Sequence, residues 1–133
     1  MFQRYIGDKA FYRREGLTGI VIPANVQTIG EQAFRNCTDL VEVTLPNGLT
    51  SIGYQAFSGC TSMTSITLPD SLTTIGMLAF EYCSGLVSVD IPAGVTKISS
   101  GAFGYCSGLT SVSVAEGVAA IDSQAFRYCS SLE

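Results

Sequence analysis

The sequence predicts an α/β repeat solenoid: a right-handed superhelix with a short parallel sheet on one face and short α or 3-10 turns on the other. Three observations predict it. The pair Ala-Phe recurs at Ala10, Ala33, Ala56, Ala79, Ala102 and Ala125, always 23 residues apart. Cys37, Cys60, Cys83, Cys106 and Cys129 keep the same step. Between them, apolar residues spaced by two fill short stretches that end in proline, which is strand periodicity. A unit of this length cannot bury its apolar side alone, so the copies must stack.

Aligned on the Ala-Phe pair, the units run over 17–39, 40–62, 63–85, 86–108 and 109–131. A further unit opens at 132–133, and residues 1–16 read as an incomplete N-terminal cap. Each unit starts on Leu17, Leu40, Met63, Leu86, Leu109 or Leu132. Ile20, Val43, Ile66, Val89 and Val112 follow, and two residues on come Ile22, Leu45, Leu68, Ile91 and Val114, so residues 42–45 and their equivalents are expected strands. Pro23, Pro46, Pro69 and Pro92 stop them, because proline has no N–H to offer a ladder. An extended segment follows, in which Ile29, Ile52, Ile75, Ile98 and Ile121 mark a second, shorter ladder. The glycine that usually comes next turns the chain into a brief helical piece, such as residues 54–60, whose Ala and Phe point inward.

The full pattern, Leu-x-x-Val-x-Leu-Pro-x-x-Leu-x-x-Ile-Gly-x-x-Ala-Phe-x-x-Cys over residues 40–60, resembles the BspA-like subclass of leucine-rich repeats. That resemblance implies a bacterial, sometimes protozoan, protein at the cell surface or outside the cell, acting in adhesion to host matrix proteins or in aggregation between cells. The ends depart from the pattern. Gln3 stands where an apolar residue belongs, Arg14 where the cysteine belongs, and Ala115 where the last proline belongs. No polar capping unit follows Leu132, so an open apolar end is expected to invite stacking on another chain. The chain begins inside a unit and stops where one opens, which reads as a piece of a longer protein.

With 47% hydrophobic and 14% charged residues, the 133-residue chain has ample material for a core and is not disordered. Its formal charge of −4 argues against nucleic acid, which selects clustered Lys and Arg. The charge is uneven. Residues 1–16 hold Arg4, Lys9, Arg13 and Arg14 against Asp8 and Glu15, while the rest holds three basic and nine acidic side chains. The basic end could meet the acidic body of another molecule or keep the cap soluble. No apolar run reaches the ~18 to 20 residues of a membrane span, and no secretory signal opens the sequence.

Catalytic chemistry finds little material. The chain has no histidine, which removes His-dependent triads and the zinc-protease signature. Lys97 near Ser99 and Ser100 is expected to be a solvated surface lysine, not half of a Ser/Lys dyad. The five cysteines fall once per unit and never in a close pair, so they read as a buried thiol column, not a metal or disulfide framework. Asn36-Cys37-Thr38 matches a glycosylation triplet, but its cysteine belongs to that inward column. No active site, metal or cofactor is assigned.

Binding has better candidates. Gly19 and Val21, Glu42 and Thr44, Ser65 and Thr67, Ser88 and Asp90, and Ser111 and Ser113 should tile the outer face of the main sheet. Such a face can be an extended binding surface or merely a soluble one. Tyr82, Tyr105 and Tyr128 precede successive cysteines and should line up on the opposite side, either for recognition or to cover the groove between units. The leading reading is a non-enzymatic adhesion module for a host matrix or cell-surface protein or a glycan. The alternative is a structural spacer or a stalk that self-associates through its C-terminal end.

Overall fold

The computed structural model describes residues 4–132. Its strands are β1 (Tyr5–Ile6), β2 (Gly19–Val21), β3 (Thr28–Ile29), β4 (Glu42–Thr44), β5 (Ser51–Ile52), β6 (Thr74–Ile75), β7 (Ser88–Ile91), β8 (Lys97–Ile98), β9 (Ser111–Val114) and β10 (Ala120–Ile121). All pairs are parallel, and each residue faces its equivalent 23 positions on, as in Ile20 with Val43 and Val89 with Val112. The main ladder joins β2 to β4 and β7 to β9; the shorter one runs β1-β3-β5-β6 and then β8-β10. Alternation sets the faces: Val43 and Val89 point into the core, while Glu42, Thr44, Ser88 and Asp90 face out.

One expected strand is missing. Residues 65–68 join no ladder; the nearest bond is from the Val87 amide to the Thr64 carbonyl, 3.0 Å. Ile66 and Leu68 remain buried, so side-chain packing still holds the segment in line. Thr64, Ser65 and Thr67 are exposed, and water can satisfy backbone groups there, which makes the lost ladder bonds inexpensive. The main sheet is therefore two pairs of strands with a gap.

The expected α or 3-10 pieces are replaced by a ribbon of β-turns, and no helix occurs among the described residues. Gln32 and Asn36 have φ of 56° and 59°. A positive φ at the third residue makes each a type II turn, closed by the Ala33 amide on the Gly30 carbonyl and the Cys37 amide on the Phe34 carbonyl. The amides of Gln32, Phe34 and Asn36 donate forward to the carbonyls of Tyr54, Ala56 and Ser58, one coil on. The second ladder is flanked by bonds of the opposite sense, such as Gly53 N–H to the Ile29 carbonyl. A helix would spend its amides internally; the ribbon uses alternate ones to tie coil to coil.

Between ribbon and ladders, Phe11, Phe34, Phe57, Phe80, Phe103 and Phe126 form one offset stack with centroids 5.0–5.4 Å apart. Beside it runs the thiol column. Cys60, Cys83 and Cys106 are free and fully buried, and each donates its S–H to a phenylalanine carbonyl, 3.1–3.2 Å away. Burial pushes the Cys60 and Cys106 thiols up to about 12, and Cys83 well above its ordinary value. At the N-terminal end Arg14, in the cysteine's place, lays its guanidinium 5.5 Å from the Phe11 ring centroid and covers the stack. Ala115, in the proline's place, has an N–H and donates it to the Ile91 carbonyl, 3.1 Å. Gln3 lies outside the described residues.

Candidate interaction surface

Every sheet-face position named from the sequence is exposed: Gly19, Val21, Glu42, Thr44, Ser65, Thr67, Ser88, Asp90, Ser111 and Ser113. The strand pleat puts them there, and the buried partners at alternate positions hold the register. They are not equivalent. Thr67, Asp90 and Ser113 meet in a groove of about 450 Å³, joined by Asp70 and floored by Ile66, Leu68, Ile91 and Pro92. The Ser113 hydroxyl donates to Asp90 Oδ1 at 2.7 Å, a consequence of the direct pairing of Asp90 with Ser113. Glu42, Thr44, Ser65 and Thr67 line a second hollow of about 300 Å³. Ser88 and Ser111 pair with each other but line neither hollow.

Both hollows border residues 65–68, so the gap in the sheet gives the face its relief. Sequence reasoning missed this, and it missed Asp70. The one signal for Asp70 was its place just after Pro69, where the strand-ending proline puts it at the rim of the face.

Across the molecule, Tyr82, Tyr105 and Tyr128 do line up, with ring centroids 4.6 and 4.8 Å apart. Tyr82 and Tyr128 are 49% and 60% exposed, and the Arg127 guanidinium sits 4.8 Å from the Tyr128 centroid. The ring faces are thus largely spent on one another, leaving mainly edges and hydroxyls outward. All three hold positive φ, which the turn ribbon demands of that position. Nearby, Glu81 has its pKa raised by burial, opposed by the charges of Arg35 and Arg127.

Lys97 lies exposed on β8, paired with Ala120. Among the described residues no group of three His, Cys, Asp or Glu side chains is placed to hold a metal, and no helix is long and apolar enough to cross a membrane.

The profile of BspA type leucine-rich repeat regions matches residues 4–133 in six copies. The chain belongs to the BspA-type leucine-rich repeat family. Solved structures of leucine-rich repeat proteins superpose closely on this BspA-type chain. A leucine-rich repeat protein from Bacteroides ovatus is 37% identical with a TM-score of 0.88, over 96% of this chain and 33% of that one. A leucine-rich cell surface protein from Faecalibacterium prausnitzii is 41% identical with a TM-score of 0.86, over 92% and 34%. The T. pallidum leucine-rich repeat protein is 30% identical with a TM-score of 0.82, over 97% and 71%. This BspA-type chain thus spans about a third of the length of the first two. No curated protein matches it.

Proposed function

We propose that this BspA-type segment is a non-enzymatic adhesion module of a surface or secreted bacterial protein, which engages a host matrix protein, a cell-surface protein or a glycan through its sheet face. The observation that carries the reading is the exposed row of hydroxyls and carboxylates beside the sheet gap, where hollows of about 450 and 300 Å³ open. Concave relief on a rigid scaffold lets a face bury more of a partner than a flat sheet would. The F. prausnitzii neighbour, itself a cell surface protein, supports the location.

The test is binding of the purified chain to immobilised matrix proteins and glycans, compared with a variant carrying Ser65→Lys, Thr67→Lys and Ser88→Lys. Saturable binding lost in a folded variant supports the face as the site; undiminished binding moves the site elsewhere, with the tyrosine row next in line. The unbroken turn ribbon favours a second reading, a stiff spacer or self-associating stalk. That reading predicts no panel binding and, for the stalk, a sedimenting mass that rises with concentration and falls when Leu132 is replaced by a charged residue.

A further inference from the structure

The sheet face carries both an unpaired backbone and a one-signed charge. Among the described residues, the amides and carbonyls of 65–68 make no hydrogen bond within the protein, although strand pairs lie on either side of the segment. An extended chain laid over the gap would find unpaired donors and acceptors there.

Charge selects the occupant. The stretches that carry the main ladder and its flanking turns, residues 15–25, 38–48, 61–71, 84–94 and 107–117, hold six acidic side chains and no lysine or arginine. All seven basic residues lie elsewhere, at the N-terminal end, on the turn ribbon as Arg35 and Arg127, and on β8 as Lys97. At the gap itself, Asp70 has no hydrogen-bond or ion-pair partner among the described residues, and Asp90 has only the Ser113 hydroxyl. A concave wall with an apolar floor concentrates the field of such carboxylates. The aliphatic stem of a lysine or arginine fits the floor of Ile66, Ile91 and Pro92 while its head reaches the carboxylates.

We propose that the sheet face docks an extended basic segment of a polypeptide partner, placed along residues 65–68 with a cationic side chain between Asp70 and Asp90. The inference rests on the sheet face being the binding surface and adds the partner's chemistry. The experiment is fluorescence anisotropy of the purified chain with a labelled peptide of alternating arginine and valine, against one of alternating glutamate and valine. Binding of the arginine peptide alone is expected, weakened at high salt. Asp70→Asn with Asp90→Asn should lower its affinity about tenfold, two charge-assisted contacts at a partly open site. Asp39→Asn, on the same side but outside the groove, should change it less than twofold.

Equal affinity for both peptides, or equal loss in the Asp39 variant, would overturn the proposal. So would self-association abolished alike by the groove variant and by Arg13→Glu with Arg14→Glu, without peptide binding, because the occupant would then be a second copy. Panel binding that the triple lysine variant abolishes, alongside no preference for arginine, would overturn this inference and leave the adhesion module standing.

Discussion

Raising the pH should destabilise this solenoid through its thiol column. Cys60, Cys83 and Cys106 are buried without a cation beside them, and their thiols are raised from 9.0, to about 12 for Cys60 and Cys106. A group whose pKa is higher in the folded state lends stability that is whole below the unfolded value and fades as pH climbs through the folded one. The window is therefore pH 9 to 12 for Cys60 and Cys106. At pH 10 the unfolded chain has released these protons and the folded chain has not, which costs about 1.4 kcal/mol for each thiol. Three of them come to about 4 kcal/mol, a large share of the ~5 to 15 kcal/mol that holds a domain together. Urea unfolding followed by circular dichroism at pH 8 and pH 10 reads this loss directly. Cys83→Ala should unfold more easily at pH 8, because it opens a small cavity, yet lose about 1.4 kcal/mol less between the two pH values. Equal losses in wild type and Cys83→Ala would refute the reasoning and place the alkaline sensitivity elsewhere.

Two further substitutions probe how coils approach each other. At Gly76 an added Cβ would lie 2.7 Å from the Gly53 carbonyl carbon and 2.8 Å from the Tyr54 nitrogen. Both are backbone and cannot step aside, so Gly76→Ala should cost about 2 to 3 kcal/mol in urea unfolding. Gly48→Ala meets only the Ala24 carbonyl at 3.7 Å, and should be neutral or raise stability by up to about 1 kcal/mol. Phe57→Ala removes a fully buried ring stacked on both sides, at 5.1 and 5.3 Å, and should cost about 3 to 5 kcal/mol, seen as a lower midpoint in thermal denaturation.

What could be read from residues alone follows a physical line. Inward columns such as Ile52, Phe57 and Cys60 announce themselves, because burial restricts the allowed side chains at every copy and a 23-residue period repeats the restriction. Backbone conformation left no such trace. Lys9, Gln32, Leu78 and Tyr82 all adopt positive φ, yet they share no side-chain chemistry; the bonds to the next coil impose the conformation on whatever residue stands there. Hence a helical piece was the natural expectation and a turn ribbon the outcome. The gap at 65–68 was equally hidden, since Ser65, Ile66, Thr67 and Leu68 fit the strand pattern as well as Glu42, Val43, Thr44 and Leu45 do. The outward residues of the site were legible as a row, and only the gap decided that Thr67, Asp90 and Ser113 share a groove with Asp70 while Ser88 and Ser111 do not.

The opposed senses of the bonds between coils bear on how long such a rod can grow. On the ribbon side the amides point toward the C-terminal end, and beside the second ladder they point back toward the N-terminal end. Peptide dipoles that all run one way, as in an α-helix, build a partial charge at each terminus. Here the two sides offset one another, so an added coil brings new bonds at both flanks without adding to an axial field. The rod can thus be lengthened or shortened one 23-residue unit at a time with less build-up of backbone charge at its ends than a one-way stack of dipoles would bring.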